Sequence, residues 1–158
     1  MNLPQIFAEA RRTGDYGEVN ELIPYAKLLG IRIEQPDAAS LRFVLPYQWD
    51  NVGNVKLPAI HGGVIAGLLE NAATLHLLWA MESTTMPKPI DGNIDYLRSG
   101  RAVDTFARGV LTRQGRRVAC VRVDAWQEDR SRPIAVASAH FLIETAEMPG
   151  PNPPELDT

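Results

Sequence analysis

The chain has 158 residues, 45% of them apolar and 22% charged, with three His and a single Cys, which predicts one domain with a hydrophobic core of its own. The lone Cys120 excludes a disulfide framework and a Cys-based zinc knuckle, and the scattered His form no HExxH-type pair, so no metal site is predicted. The net charge of −3 disfavours a nucleic-acid partner, yet residues 98–132 hold nine Arg against four acids, a local +5 that leaves −8 on the remaining chain. The opening MNLPQIFAEARRTGDYG lacks a basic start followed by an apolar run, and no stretch of about 18 uncharged apolar residues follows, so a soluble, cytoplasmic protein without a membrane partner is expected.

Two short helices are expected first, over Leu3–Arg12 with Pro4 in its first turn, and over Glu21–Leu29 with an early interruption at Pro24. This 1–29 segment reads as a lid or a dimer edge. From Gly30 to Pro46 the pattern changes to period two: Ile31 and Ile33 share one side, as do Leu41, Phe43 and Leu45, which predicts a hairpin of two strands. A Gly-, Pro- and Asn-rich loop of about 14 residues follows, a length that is usually functional or mobile. Gly62–Glu82 is apolar on nearly every face, as a buried helix is, and Pro87 and Pro89 close it. Four strands are then predicted over 90–97, 105–113, 117–127 and 134–143. The segment from 146 to 158, with four Pro in the seven residues from Met148, is expected to be disordered.

Two strands, one buried helix and four antiparallel strands predict an α+β fold, a curved antiparallel sheet wrapped around one long helix over residues 30–145. One helix on one sheet leaves a side uncovered, so a dimer is expected.

Glu70 lies mid-helix between Leu68, Leu69, Ala72 and Ala73, where burial of an unpaired carboxylate costs several kcal/mol. Two readings stand: a polar stripe (Gly67, Glu70, Asn71, Thr74) at a wet subunit interface, or a catalytic carboxylate, with Thr74 one turn along to orient it or a water. His61-Gly62-Gly63 opens the helix, where free first-turn N–H groups and the positive end of the dipole can polarise a carbonyl oxygen. His61 is either a loop anchor or a participant in the chemistry. Glu70 lies nine residues from His61, about 13.5 Å along a helix and on the opposite face. Both groups therefore reach one substrate only from different subunits. Arg113, Arg116 and Arg117 of the RQGRR turn, with Arg98, Arg101 and Arg108, are either a solvated face or a set of forks for nucleotide phosphates. His76 and His140 read as core or interface residues, and Cys120 as core. Tyr47, Trp49, Leu78 and Trp79 are either core residues or candidates for lining an apolar pocket.

HGGVIAGLLENAAT, followed by IDGNIDYLRSG and the strands to residue 144, resembles the hotdog-fold acyl-CoA thioesterases of the phenylacetate-degradation and 4-hydroxybenzoyl-CoA type, over roughly residues 30–144. The resemblance implies that the Gly62 N–H holds the thioester oxygen, that Glu70 is nucleophile or general base, that Thr74 helps place the water, and that sites are shared within dimers or dimers of dimers. It implies an acyl-CoA substrate, aryl or medium-chain, with CoA as part of that substrate and no separate cofactor. Gly63, Arg113, Arg116 and Arg117 are the expected substrate-binding residues. Two positions depart from the family pattern. Val55 stands where an Asn or Gln is common, six residues before the His, with Asn54 beside it as the substitute. Pro89 stands where a second polar contact is usual. A non-catalytic acyl-CoA-binding module is the alternative, which intact Glu70 and Thr74 count against and Val55 and Pro89 count for. A dehydratase would need a His and carboxylate pair that the sequence does not offer.

Overall fold

The computed structural model describes residues 2–143; the expected Pro-rich tail lies outside the described residues. Helix α1, Leu3–Thr13, starts on a reciprocal cap in which the Asn2 side chain accepts from the Gln5 N–H and the Gln5 side chain from the Asn2 N–H, and it ends on Gly14 at φ +76°. The single helix expected over Glu21–Leu29 is corrected to two, α2 at Gly17–Glu21 and α3 at Pro24–Leu28. Ile23 between them is extended, as the ring of a following proline enforces. Phe7, Ala10, Tyr16, Val19, Ala26 and Leu29 are all buried in the same core as the sheet, so these helices form part of the body of the fold.

Strands β1 (Arg32–Asp37) and β2 (Ser40–Leu45) form the predicted hairpin. The expected loop carries structure of its own: a 3₁₀ turn at Trp49–Asn51 and a small hairpin of β3 (Val52–Asn54) and β4 (Ala59–Ile60). Helix α4, Gly62–Met81, leads into β5 (Lys88–Tyr96), β6 (Thr105–Gln114), β7 (Val118–Trp126) and β8 (Ala135–Leu142). The main sheet is antiparallel in the order β1-β2-β6-β7-β8-β5. Alternation is visible on β7, where Ala119, Val121, Val123 and Ala125 are fully buried against α4 while Cys120 and Arg122 face away. Cys120 is thus a half-buried residue of the outer sheet face, a correction to its reading as core.

Helix α4 is long and apolar enough to cross a bilayer, yet most of it is enclosed by β2, β6, β7, β8 and α3. Tyr25 and Leu29 lie close enough to Gly67 that a Cβ there would stand 2.9 Å from the Tyr25 ring, so glycine sets how near α3 approaches. Strand β5 is different. It is an edge, α4 leaves it uncovered, and all nine residues except half-buried Ile94 are exposed, including Ile90 and Tyr96.

Candidate active site

His61 is the N-cap of α4. Its backbone is extended (φ −60°, ψ 134°) and its Nδ1 accepts from the Gly63 N–H at 2.9 Å, which requires the neutral ring with its proton on Nε2. The His61 N–H donates to the Asn51 carbonyl at 2.8 Å, tying the cap to the loop before it. The Tyr96 hydroxyl at the end of β5 donates to the Gly62 carbonyl at 2.9 Å. The 62–63 peptide is therefore held at both ends, by Tyr96 on its oxygen and His61 on its nitrogen. The preceding amide is left over: the Gly62 N–H has no acceptor among the described residues. Gly62 forms part of the wall of a cavity of about 420 Å³ that Ile65, Tyr96, Arg98 and Ser99 also line. Close approach explains Gly53, where a Cβ would fall 2.7 Å from the His61 Cα.

Glu70 is exposed, on the rim of a second cavity of about 310 Å³ between α4 and the strands β5 and β8, walled largely by apolar groups such as Leu69, Ala73, Ile94 and Phe141. The desolvation cost anticipated for this carboxylate does not arise in the single chain. Thr74, one turn along, is buried. Beside them Asn71 is buried with neither side-chain oxygen nor nitrogen partnered among the described residues. Such an amide is costly in isolation and marks a place that water, substrate or a second chain completes. Gly62 and Glu70 line different cavities of one chain, as their spacing predicts.

Several expected site residues lie elsewhere. The Asn54 side chain accepts from the Lys56 and Leu57 N–H groups at 3.0 and 3.2 Å, closing the turn between β3 and β4; it belongs to the hairpin. Sequence reasoning missed Asn51, which is buried, has an unpartnered Nδ2 and touches His61 through its carbonyl. Its one sequence signal was a polar residue inside a long loop. The Gly63 N–H is consumed by His61 and offers nothing to a substrate. Arg113, Arg116 and Arg117 stand at the end of the sheet opposite Gly62 of the same chain. Gly62 touches Tyr96, and Tyr96 is level with Ala135, Ala125 and Ala107 across the strands, so the 114–117 turn lies roughly 25 Å farther along β6 at about 3.3 Å per residue.

His76 is a core residue, as expected. Burial, helped by the nearby Arg108 charge, pushes its pKa down to about 4, so it is neutral in the fold; its ring lies 5.7 Å from that of Trp79. His140 instead lies on the outer face, with Nδ1 2.6 Å from Asp91. Tyr47 and Trp49 are exposed, while Trp79 packs under Arg11, so neither cavity uses these three aromatics. Among the described residues no cluster of His, Cys, Asp or Glu could hold a metal ion.

Residues 57–134 match the family model of the thioesterase superfamily. The medium/long-chain acyl-CoA thioesterase YigI of Salmonella typhimurium is 31% identical over 134 residues, covering 77% of this chain and 86% of that protein; its Escherichia coli counterpart is 29% identical over the same span. A Chromobacterium violaceum protein of known crystal structure superposes with a TM-score of 0.74 at 44% identity, covering 90% of this chain and 99% of the other. A phenylacetic acid degradation-related structure from Ralstonia eutropha, at 23% identity and a TM-score of 0.66 over 76% of this chain and 89% of its own, shares the fold.

Proposed function

The chain belongs to the thioesterase superfamily, and from that premise we propose that it hydrolyses acyl-CoA thioesters at sites shared between two copies. The observation that carries the reading is the unpartnered Gly62 N–H, at the positive end of a 20-residue helix and beside a peptide fixed by Tyr96 and His61. The thioester oxygen accepts from this amide. Glu70 of the second copy removes a proton from water, the hydroxide adds to the carbonyl carbon, and the resulting oxyanion is held by the Gly62 N–H. Collapse breaks the C–S bond, and the CoA thiolate takes up the proton as the free acid leaves. Direct attack by Glu70, through an acyl-carboxylate anhydride that water then opens, uses the same geometry. Rapid quench in heavy-oxygen water separates the two routes.

The exposed, uncovered edge strand β5 supports the second copy as the missing wall. It forms one side of the Glu70 cavity, and an exposed edge of nine residues is a template for pairing with its own kind. The apolar Glu70 cavity suits an acyl chain, and relatives named for medium- and long-chain acyl-CoAs favour alkyl over aryl groups. Coenzyme A enters as substrate, and the mechanism uses no further cofactor.

The test is turnover of short-, medium- and long-chain and aryl acyl-CoAs followed with a thiol reagent. Glu70→Ala should lower kcat by about 10²–10⁴-fold; turnover unchanged by that substitution removes the mechanism. Mixing a Glu70→Ala chain with a Gly62→Pro chain should restore one working site per heterodimer, whereas no recovery would place both groups in one chain.

A further inference from the structure

Helix α3 stands beside the carboxylate on which the hydrolytic reading turns, yet the family match at residues 57–134 leaves it out. We propose that Tyr25 of α3 is a specificity-determining wall of the Glu70 site. It sets the width of the site at the first carbons of the acyl group, and so favours thioesters that are unbranched beside the carbonyl. This rests on the thioesterase reading and adds to it a selection by width.

The ring is held in place by the short helix that carries it. Pro24 opens α3, and the helix closes through the Leu29 N–H on the Tyr25 carbonyl at 3.1 Å and the Ile31 N–H on the Ala26 carbonyl at 3.0 Å. Ala26 and Leu29 are buried in the core and anchor it. Tyr25 and Leu29, four residues apart, share the face that meets α4. A Cβ on Gly67 would lie 2.9 Å from the Tyr25 ring and 3.2 Å from a Leu29 methyl group. Leu29 is covered at this contact, whereas Tyr25 remains 50% exposed and presents the rest of its ring along the surface of α4.

Helix geometry places that ring relative to Glu70. In the first half of α4, Gly63 and Glu70 are exposed and Ala66 and Gly67 half-buried between them, whereas residues 71–78 are all buried. At 100° per residue, Gly67 lies about 60° to one side of Glu70 and Ala66 about 40° to the other, both within about 6 Å along the axis. Long side chains on a helix lean toward its N-terminus, and for Glu70 that is the turn of Ala66 and Gly67. The carboxylate thus works between two walls. On one side is the apolar cavity of Ala66, Leu69 and Ala73 against β5 and β8, and on the other is Tyr25. The floor between them carries nothing larger than a methyl group at 63, 66 and 67, so the walls decide what fits. A carbonyl carbon attacked from Glu70 has its first acyl carbons in this gap and the rest of its chain in the cavity. A methyl branch beside the carbonyl therefore meets the ring, and one farther along the chain does not.

The experiment compares a straight medium-chain acyl-CoA with its isomer methylated on the carbon next to the carbonyl. It reads kcat/KM by turnover and, without turnover, calorimetric binding of the matching ketone analogues, in which a methylene separates sulfur from carbonyl. The wild type should prefer the straight form by about 10–200-fold, the range one methyl group commands in a close-fitting apolar site. Tyr25→Ala should bring that ratio close to one, and Tyr25→Phe, which keeps the ring, should leave it at the wild-type value. Gly67→Ala, whose Cβ displaces the ring, should change the ratio with the tyrosine present and have no further effect in a Tyr25→Ala chain. A ratio indifferent to Tyr25→Ala overturns the proposal while leaving hydrolysis standing. Tyr25-dependent selection between the ketone analogues by a wild type that turns over no thioester upholds the wall and removes the hydrolase reading. Loss of self-association by Tyr25→Ala in sedimentation assigns the ring to contact between copies and overturns the wall. If Tyr25→Ala melts early, Tyr25→Leu, which keeps an apolar contact on Gly67, should still lower the ratio, and an unchanged ratio there overturns the proposal equally.

Discussion

Replacing Gly62 by proline would delete the proposed oxyanion donor and very little else. Gly62 is the first residue of α4, the one helical position where proline is favoured because the missing N–H has no partner there. The residue before a proline must be extended, and His61 already is, at ψ 134°. The side-chain space allows it as well: the atoms nearest a Cβ at 62 are those of the Tyr96 ring and hydroxyl, at an ordinary 3.5–3.6 Å. Folding should therefore be unaffected, or gain about 0.4–1 kcal/mol from the stiffer unfolded chain. Catalysis should fall by about 10²–10³-fold in kcat, or about 3–4 kcal/mol, the loss measured when one oxyanion donor is removed elsewhere. The assay is kcat on the best acyl-CoA beside a calorimetric melt, with Gly62→Ala as the control that keeps the amide. If Gly62→Pro melts like the wild type and retains its turnover, the Gly62 N–H does not hold the oxyanion. If it unfolds while Gly62→Ala does not, the account of the helix start is wrong.

Other outcomes follow from single contacts. Tyr96→Phe keeps the ring over Gly62 and loses only the 2.9 Å bond to its carbonyl, so kcat should drop about fivefold, near 1 kcal/mol, with KM little changed; an equal loss in KM would point to substrate contact instead. Gly53→Ala drives a Cβ into the His61 backbone and should destabilise by about 1–3 kcal/mol in urea unfolding, with activity lost alongside; a neutral result would mean the hairpin is free to shift. His76 titrates near 4 in the fold and near its ordinary 6.5 when unfolded, so the unfolded chain binds the proton first. Stability should be full above pH 6.5 and decline toward pH 4, by an amount on the order of 3 kcal/mol, and His76→Leu should flatten that decline in pH-dependent melts.

The four strands after the helix were legible because alternation on a one-sided sheet writes itself into the sequence, as Ala119, Val121, Val123 and Ala125 do on β7. The central helix was legible for the opposite reason, being apolar all round. What escaped were elements too short to have a period. A five-residue helix such as α2 cannot nucleate alone and exists because Val19 is buried in the core. The β3–β4 hairpin depends on bonds from Ile60 to Gly100 and from His61 to Asn51, which no local pattern announces. The same limit divided the candidate site. That Gly62 and Glu70 line different cavities followed from their spacing on one helix, whereas the bonding of Asn54 turned on short-range contacts to Lys56 and Leu57 and the position of Arg113, Arg116 and Arg117 on the length of β6.

Arg11 of α1 reaches the far end of the central helix. Its Nη1 meets Glu82 at 2.7 Å, its Nη2 donates to the Trp79 carbonyl, and its guanidinium lies 5.5 Å from the Trp79 ring centre. Glu82 itself is the C-cap, in the left-handed region at φ 51°, where a side chain is strained and glycine is usual. One arginine therefore supplies the positive charge that end of the helix dipole favours and steadies a residue glycine would have replaced. Fusions or deletions at the amino terminus accordingly act on the helix that carries Gly62 and Glu70, loosening it from the end opposite the proposed chemistry.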